Sequence, residues 1–224
     1  LAQHLPLKYF YSGPMFRYER PQAGRMRQFH QTGIELLGVK DALGDVEVIA
    51  TGAEFLRRIG VWERSQLEIN TLGDNESRQN YRKVLVEYLS QHRENLSAES
   101  QDRLERNPLR ILDSKDEGDQ AIVAKAPVYT DYLNQTSRDF FERVKDGLST
   151  LGLAFVVNPR LVRGLDYYCH TCFEVTCEEL GAQKTILAGG RYDGLVGMMG
   201  GAETPGVGWA SGIERCAMLL KEGP

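Results

Sequence analysis

The sequence predicts an α+β fold, in which an antiparallel sheet with flanking helices is interrupted by a mainly helical insertion. Strand-like runs occur towards both ends of the sequence, in "GPMFRYERPQAGRMRQFHQTGIE" (13–35) and "GVGWASG" (206–212). The segment between them, 74–134, is polar and helical in pattern. Strands that precede and follow a helical segment are typical of an α+β domain with an insertion. We therefore divide the chain into a first core part (1–73), the insertion (74–134) and a second core part (135–224).

The first core part and the insertion carry clear local signals. Residues 13–36 predict two strands joined by a turn at Pro21–Gly24. Asp45 is expected to cap a helix that ends near Gly60, and "LEIN" (67–70) is expected to form a strand. Within the insertion, apolar residues at helical spacing predict an amphipathic helix. They are Tyr81, Val84, Leu85, Tyr88 and Leu89. Ser97 offers a second cap.

In the second core part, Thr136 is expected to cap a helix that ends at Gly152. Its inward positions are expected to be Phe140, Val144, Leu148 and Leu151. The runs "AFVVN", "YYCHTCFEVT" and "GVGWASG" are interpreted as strands. A last helix is expected from about Ile213 to Leu220.

Composition limits the class of protein. The 224 residues are 42% hydrophobic, which is enough for a core, and the formal net charge of −4 leaves no broad basic surface for nucleic acid. This balance does not exclude RNA, because an acidic protein can carry a local basic groove. No apolar run approaches the roughly 20 residues that a membrane span needs. We therefore expect a cytoplasmic protein without a membrane partner.

The cysteines of "CHTCFEVTC" (169–177) have a spacing that also suits zinc. The segment is rich in Thr, Phe and Val, however, and its composition predicts a strand. Residues three apart on a strand point to opposite faces, which does not suit shared ligation. We expect reduced thiols and no metal site here.

The opening stretch sorts its side chains by strand alternation. On its first strand Met15, Arg17 and Glu19 share a face, and on its second strand a similar set shares a face. That set is Arg25, Arg27, Phe29, Gln31, Gly33 and Glu35. Arginine grips phosphate or carboxylate through two N–H groups, and a phenyl ring can cover a flat ligand ring. The pattern predicts a ligand-binding face; the alternative is a solvated face of salt bridges.

Three further stretches extend this prediction. In "GVGWASGIER" (206–215), alternation places Gly206, Gly208, Ala210 and Gly212 on one nearly bare face, with Arg215 just beyond it. Such a row marks close approach of a ligand or of another backbone, so tight helix packing is the alternative. "LVRGLDYY" (161–168) places Arg163 and Asp166 around Gly164, and a pairing of Arg163 with Asp166 is its structural interpretation. "AGGRYDGL" (188–195) is by itself typical of a turn.

Together these stretches resemble class II aminoacyl-tRNA synthetases, and specifically the bacterial type of histidyl-tRNA synthetase. "FRYERPQAGRMRQFHQ" resembles motif 2 of that class and "PGVGWASGIER" resembles motif 3. "RLVRGLDYY" and "AGGRYDGL" resemble the two signature peptides of the histidyl enzymes, and "NPLRILDSK" resembles their insertion. The resemblance covers nearly the whole chain and implies the antiparallel sheet of a class II catalytic core.

The resemblance also implies roles. ATP would be bound by Arg17, Glu19, Arg25, Phe29 and Arg215, with Phe29 stacked on adenine. Histidine would be bound by Arg17, Gln31, Glu35, Arg163, Tyr167 and Tyr168, with Gln31 at the α-amino group. Arg163 and Arg17 would be catalytic, with Arg163 at the α-phosphate in place of a metal ion.

The chemistry implied is attack of the histidine carboxylate on the α-phosphorus of ATP, which gives histidyl-adenylate and pyrophosphate. A carboxylate is already nucleophilic at neutral pH, so fixed positive charge and alignment are what the reaction needs. Mg²⁺ would accompany ATP on its outer phosphates. The histidyl group would then pass to the 3′ end of tRNA(His), and the intact protein would be a homodimer.

The resemblance does not include the family's motif 1 region, expected before Leu1, or an anticodon-binding domain after motif 3. We therefore expect these 224 residues to be part of a catalytic domain, with little adenylation activity when isolated. Three alternatives stay open. They are a histidine-sensing regulatory subunit of ATP phosphoribosyltransferase, a kinase-linked synthetase-like domain and another class II synthetase. The first is expected to have lost catalytic arginines and the last to lack "LVRGLDYY".

Overall fold

The structure is a computed structural model that describes residues 4–18 and 26–220. Within these ranges a sheet of seven strands has the order β1–β2–β7–β6–β5–β3–β4. Neighbouring strands are antiparallel except β3 and β4, which are parallel. The strands are β1 (Leu7–Phe16), β2 (Gln28–Leu37), β3 (Gln66–Thr71), β4 (Val156–Val157), β5 (Cys169–Thr176), β6 (Thr185–Arg191) and β7 (Gly206–Gly212). The predicted α+β class with a mainly antiparallel sheet is confirmed.

Helices lie between some of the strands and after the last one. They are α1 (Ala42–Arg58), α2 (Asn75–Gln91), α3 (Ala98–Arg106), α4 (Glu117–Val123), α5 (Gln135–Thr150), α6 (Leu195–Met198) and α7 (Ile213–Leu219). Short 3₁₀ turns add to the helical character of the segment between β3 and α5. No helix in the described ranges is both long and apolar enough to cross a membrane.

One strand was not predicted. "AGGR" (188–191), which we interpreted as a turn, lies in β6 between β5 and β7. A Cβ added to Gly189 would stand 2.2 Å from the carbonyl oxygen of Gly208 on the neighbouring strand. Gly189 and Gly208 therefore allow β6 and β7 to approach each other closely. Such an approach is one of the reasons why glycine occurs within a strand.

The predicted cap of α1 is wrong. Asp41 caps this helix by accepting a hydrogen bond from the backbone N–H of Leu43, and its other carboxylate oxygen accepts from Arg143 of α5. Asp45 lies inside α1, where it is fully buried and paired with Arg191. A buried aspartate with a charged partner and a capping aspartate look alike in sequence.

The predicted cap of α5 is also wrong, because Asn134 rather than Thr136 accepts the hydrogen bond from the N–H of Ser137. Asp74 caps α2 in the same way through Ser77. Each serine hydroxyl then accepts from the backbone N–H of the other helix's cap, at 3.0 Å in both cases. The two helix starts thus satisfy each other's donors, a crossed version of a capping box. This exchange fixes the two ends of the helical segment side by side.

The main core lies between one face of the sheet and helices α1 and α5. The buried face of α5 is formed by Phe141, Val144 and Leu148. Phe140 is half-buried, packs against this core as predicted, and stacks on His170. Our prediction of Leu151 as inward was wrong, because Leu151 is exposed. From the sheet, Phe173, Leu187 and Trp209 enter the same core. Each such side chain contributes about 1.5–3 kcal/mol by burial.

A second apolar cluster lies mostly in the helical segment. Its members include Tyr81, Leu85 and Leu89 of α2, as the helical spacing predicted, with Leu104, Ile111 and Tyr129. Leu161, Val162 and Cys172 extend it to the sheet. The helical segment therefore has apolar packing of its own that continues into the sheet beside residues 161–162.

The Asp119 carboxylate organises the polar side of this segment. It is fully buried and accepts from the backbone N–H and hydroxyl of Ser97 and from the hydroxyls of Ser100 and Ser114, at 2.5–2.8 Å. Burial opposes its charge, but the hydrogen bonds outweigh burial and hold the pKa of Asp119 below its usual value. One carboxylate thus joins α4 to the start of α3 and to the turn at Ser114.

We expect Asp119→Ala to lower the free energy of unfolding by about 2–4 kcal/mol, because several buried donors lose their acceptor. Since the native pKa lies below the unfolded value of about 3.9, this stabilisation is present above that pH and is lost as the pH falls through the native pKa. Urea denaturation from pH 3 to pH 7 measures both effects.

The matched control is Asp113→Ala, because Asp113 is exposed and its cationic neighbour Lys115 lies at 3.9 Å. It should change stability by less than about 0.5 kcal/mol. Equal effects of the two substitutions, or a difference that does not narrow below about pH 4, would contradict the assigned role of Asp119.

Candidate active site

One face of the sheet is almost bare of side chains at its centre. The register pairs Gln31 with Gly212 and Glu35 with Gly208 across β2 and β7, and pairs Ala210 with Ala188 across β7 and β6. Directly paired residues lie on the same face of an antiparallel sheet. The predicted alternation of the Gly/Ala row is therefore confirmed, and helices pack on the opposite face, where Trp209 and Leu187 point.

A cavity of about 250 Å³ lies over one part of this bare face. We call it the Phe29 cavity; its lining includes Arg17, Met26, Phe29, Gln31, Thr185, Ala188, Ala210, Gly212, Glu214 and Arg215. Small residues form its floor, an aromatic ring and an amide form one wall, and two guanidinium groups stand at its border. It has the shape and charge for a flat ring with an attached anion.

Arg17 lies against the ring that it was predicted to accompany. Its guanidinium carbon is 4.3 Å from the centre of the Phe29 ring, and its Nε–H donates to the carbonyl oxygen of Met26 at 3.0 Å. The backbone N–H of Arg17 also donates to the carbonyl of Arg27. These contacts hold the guanidinium at the edge of the Phe29 cavity.

Arg215 lies in the first turn of α7, at the other edge of the same cavity. It donates through Nη1 to the carbonyl oxygen of Thr185 at 2.6 Å. Its neighbour Glu214 accepts from the backbone N–H of His30 and contacts His30 Nδ1 at 2.8 Å. The start of α7 is thereby fixed to both β2 and β6.

Glu35 is the centre of a second group of polar and aromatic side chains further along β2. We call it the Glu35 pocket; it comprises Glu35, Tyr167, Tyr168, Tyr192 and Gly208. The Tyr192 hydroxyl donates to the Glu35 carboxylate. A Cβ added to Gly208 would stand 2.5 Å from the backbone carbonyl oxygen of Ile34 on β2 and would also overlap the Glu35 carboxylate. Glycine at this position therefore allows the close approach of β7 to β2 and leaves room for the carboxylate. Burial raises the pKa of Glu35, and the hydrogen bond from Tyr192 acts in the opposite direction.

Aromatic rings surround the Glu35 carboxylate. The rings of Tyr167 and Tyr168 are 4.6 Å apart, and each meets Tyr192 edge to face at 6.2 and 6.3 Å. Tyr11 lies directly opposite Gly33 across β1 and β2 and so shares the face of Glu35. Burial and the negative charge of Glu35 both raise the pKa of Tyr11. A carboxylate bordered by tyrosines suits a flat ligand that donates N–H hydrogen bonds.

Gln31 and Glu35 lie on the same face of β2, four residues apart. At about 3.4 Å per residue this separation is about 14 Å, so the Phe29 cavity and the Glu35 pocket are neighbours on one surface. A ligand in one can therefore meet a ligand in the other over the bare strands. Carboxylate and phosphate groups at that junction would need cations nearby.

Arg163 provides one cation. Its Nη1 donates to Glu174 Oε1 of β5 at 2.8 Å, and its guanidinium carbon lies 5.4 Å from the centre of the Tyr168 ring. The predicted structural alternative, pairing of Arg163 with Asp166, is wrong. Asp166 instead accepts from Arg78 Nη2 at 2.8 Å and from Asn107 Nδ2 at 3.0 Å.

The structure thus brings together most of the predicted site residues. Arg17, Phe29, Gln31 and Arg215 line the Phe29 cavity, and Glu35, Tyr167 and Tyr168 belong to the Glu35 pocket. Glu19 and Arg25 lie outside the described residues.

Four residues of the site were missed from sequence. They are Tyr11, Glu174, Thr185 and Tyr192. Tyr192 stood within the quoted "AGGRYDGL", which offered a signal. Glu174 and Thr185 lie in strands whose pairing brings them together, and local sequence carries no sign of that pairing. Tyr11 lies opposite Gly33, and strand alternation places it on the face of Gln31.

The cysteine-rich segment is β5, as predicted, and all four cysteines are free. Cys172 is buried and burial raises its pKa to about 12. In the parts of the chain that the structure describes, no group of three or more His, Cys, Asp or Glu side chains could hold a metal ion.

Comparisons with known proteins agree with this geometry. A family model described as histidyl-tRNA synthetase matches residues 1–216. A histidine–tRNA ligase of Rhodospirillum rubrum is 61% identical over 220 residues, which are 98% of this chain and 53% of that protein. A histidine–tRNA ligase of Gluconobacter oxydans is 56% identical over the whole chain and 54% of its own length. The chain therefore spans about half the length of the curated relatives it matches.

Solved structures are similar as well. The apo histidyl-tRNA synthetase of S. aureus has a TM-score of 0.76 and 35% identity, covering 96% of this chain and 51% of that one. A Bacillus halodurans protein described as an ATP phosphoribosyltransferase regulatory subunit/histidyl-tRNA synthetase has a TM-score of 0.62 at 21% identity, covering 98% and 60%, and shares the fold. With the family model matched over nearly every residue and relatives above 50% identity, the chain belongs to the histidyl-tRNA synthetase family.

Proposed function

We propose that this chain is the part of a histidine–tRNA ligase that activates L-histidine with ATP and transfers it to the 3′ end of tRNA(His). The observation that carries the proposal is the placement of the Glu35 pocket and the Phe29 cavity on one bare sheet face. The first suits an imidazole ring and the second suits an adenine ring with its phosphates. The names of the relatives support the same assignment.

In this proposal, the Glu35 carboxylate accepts an N–H of the substrate imidazole, with Tyr167 and Tyr168 beside the ring. Tyr192 joins this set, because its hydroxyl fixes the orientation of the Glu35 carboxylate. A buried polar pocket of this kind rejects amino acids that leave its groups without partners. Gln31, further along β2, contacts the α-amino group.

ATP occupies the Phe29 cavity in the proposal. Adenine stacks on Phe29 and the nucleotide lies on Ala188, Ala210 and Gly212. Glu19 and Arg25 are assigned to adenine and the outer phosphates from the resemblance alone. Arg215 holds the γ-phosphate. Mg²⁺ would accompany ATP as part of the MgATP substrate, on its outer phosphates.

The adenylation step follows from charge placement. The histidine carboxylate attacks the α-phosphorus, the bond to the bridging oxygen breaks, and pyrophosphate leaves. Negative charge gathers on the α-phosphate oxygens in the transition state, where Arg163 and Arg17 stabilise it. These guanidinium groups remain charged at any working pH. The step needs no general base, because the attacking carboxylate is already ionised at neutral pH.

The wider proposal includes the domain division at 74 and 134, a homodimer and a cytoplasmic location. The division is supported by the separate apolar cluster of the helical segment and by the crossed caps at its two ends. The regulatory-subunit alternative is less well supported, because that neighbour is 21% identical and Arg17, Arg163 and Arg215 are all present here.

The full-length protein should catalyse ATP–pyrophosphate exchange that depends on histidine. Proline, threonine, serine and glycine should not support it, because none has a side-chain imidazole whose N–H could donate to Glu35 while the α-amino group is bound elsewhere. Exchange assays with each amino acid, followed by charging of tRNA(His), measure this. Equal stimulation by any of the other four amino acids would refute the assignment.

Arg163→Ala should lower the adenylation kcat by roughly 10²–10⁴-fold, the scale of losing one electrostatic stabiliser. ATP and histidine affinities should change far less, since the interaction strengthens only in the transition state. Arg163→Lys should recover little, because a point charge cannot span a phosphate and a carboxylate oxygen. Pre-steady-state adenylation by quench flow gives these rates.

Arg160→Ala is the matched control, because Arg160 is an exposed arginine three residues earlier in the same loop. Its adenylation rate should stay within about threefold of wild type, as expected for an exposed side chain that belongs to neither the Phe29 cavity nor the Glu35 pocket. A near-wild-type adenylation rate for Arg163→Ala would contradict the proposed catalytic role of Arg163.

Gly208→Ala should raise the KM for histidine or lower kcat so that kcat/KM falls by about 10- to 100-fold, because the added methyl overlaps the Glu35 carboxylate. Gly197→Ala is the control, since its Cβ would meet only Glu203 Cγ, at 3.6 Å. Steady-state kinetics with a thermal unfolding curve separate a pocket effect from unfolding. An unchanged kcat/KM for Gly208→Ala would show that histidine binding does not depend on the position that the Glu35 carboxylate has in this structure.

A further inference from the structure

Glu174 is a carboxylate at the border of a surface proposed to bind phosphates. It lies on β5 opposite Ala188, which lines the Phe29 cavity, so it shares a face with the bare floor. A lone negative charge there would repel a nucleotide. We therefore expect neighbouring groups of the protein to bind the Glu174 carboxylate.

The Glu174 carboxylate has a different donor on each oxygen. Oε1 accepts from Arg163 Nη1 at 2.8 Å, and Oε2 accepts from the Thr185 hydroxyl at 2.9 Å. Both charged side chains are largely buried, with 18% of Arg163 and 23% of Glu174 exposed. The pair is therefore shielded from solvent more than a surface ion pair is.

Thr185 extends the connection to a second cation. Its hydroxyl donates to Glu174 while its backbone carbonyl accepts from Arg215 Nη1 at 2.6 Å. Arg163 and Arg215, the two arginines proposed to act on the α- and γ-phosphates, are thus both connected to β6 through Thr185. Their spacing is set by one strand.

Arg163 needs such support because its own backbone gives little. Residues 158–168 contain no helix or strand, whereas Glu174 lies within a central strand of the sheet. The Arg163 Nε is buried with no hydrogen-bond partner in the described part of the chain. The nearby acid Glu68, opposite Glu174 on β3, is already bonded to Asn158 at 2.6 Å.

We propose that Glu174, supported by Thr185, is a positioning residue that holds the Arg163 guanidinium ready for the α-phosphate before ATP binds. The inference rests on the proposed function. A cation that is fixed in advance needs no reorganisation as the reaction proceeds, which is the source of most electrostatic catalysis. Glu174 acts through Arg163 and contacts neither substrate.

A double-mutant cycle in the full-length protein tests this. Single-turnover adenylation is measured for wild type, Glu174→Ala, Arg163→Ala and the double variant, at saturating ATP and histidine. Glu174→Ala should lower the rate by about 10- to 100-fold, the usual scale for a misplaced catalytic group, with little change in either KM. In the Arg163→Ala background the same substitution should change the rate by less than about threefold, because its only target is gone.

Two milder variants test the proposal even if the Glu174→Ala variant is unstable. Glu174→Gln keeps an oxygen that accepts from Arg163 and should recover to within about fivefold of wild type. Thr185→Val removes the hydroxyl and should lower the rate only when Arg163 is present. The control Glu178→Ala removes an exposed carboxylate that pairs with Lys184 and should change nothing.

Independent effects of Glu174→Ala and Arg163→Ala would overturn the proposal, because Glu174 would then act on substrate or on a cation directly. A Glu174→Ala variant whose main defect is a higher requirement for Mg²⁺ would overturn it too. If the wild-type protein shows no histidine-dependent exchange, the proposed function fails and this inference with it. If exchange is present and the cycle is additive, this inference alone fails.

Discussion

The buried ion pair between Arg191 and Asp45 is the interaction on which the site depends. Arg191 ends β6 and Asp45 lies in α1, and both side chains are fully buried. The Arg191 guanidinium also donates to the carbonyl of Val39 and to Asp193, each at 2.9 Å. Burial opposes the charge of Arg191, but Asp45 and Asp193 outweigh it and raise its pKa. One side chain therefore fixes the end of a central strand to the helix beneath it.

This pair matters for the site because Tyr192 comes directly after Arg191 in the chain. The Tyr192 hydroxyl orients Glu35 on β2. Its backbone N–H also donates to the carbonyl of Gly206 at the start of β7. Removing one partner of a buried ion pair leaves an uncompensated charge, which commonly costs about 3–5 kcal/mol. The core beneath the sheet and the pocket above it are therefore anchored at one point.

The sequence allowed the sheet surface to be predicted well, because strand alternation is a local property. Phe29, Gln31 and Glu35 share a face with Gly208 and Ala210, as alternation requires. On the opposite face of the sheet, Trp209 of β7 and Phe173 of β5 enter the core. Because side chains alternate between the two faces of a strand, the sequence alone tells which residues share a face. The bare floor could therefore be predicted before any contact was known.

Pairings between distant residues could not be predicted in this way. Asp45 looked like a helix cap, and nothing near it in sequence indicates Arg191, which lies in a strand that we interpreted as a turn. Arg163 and Asp166 looked like partners because they are three residues apart, yet each binds a residue from elsewhere, Glu174 and Arg78. Charged residues choose partners by three-dimensional proximity, and a single sequence shows only local proximity.

The loop that carries Arg163 illustrates how the two apolar clusters cooperate. On the sheet side, Asn70 Nδ2 donates to the carbonyl of Leu161 at 2.9 Å, and Glu174 holds Arg163. On the helical side, Arg78 and Asn107 hold Asp166. The loop is therefore fixed from both sides over a few residues.

This arrangement gives the helical segment a part in the site although it lies outside the sheet. Arg78 belongs to α2, whose start is fixed to α5 by the crossed caps of Asp74 and Asn134. A displacement of α2 would move Asp166, and with it Tyr167 and Tyr168 of the Glu35 pocket. A loop without secondary structure can hold side chains in place only when such neighbours constrain it, so the order of the Glu35 pocket follows from the packing of both halves of the chain.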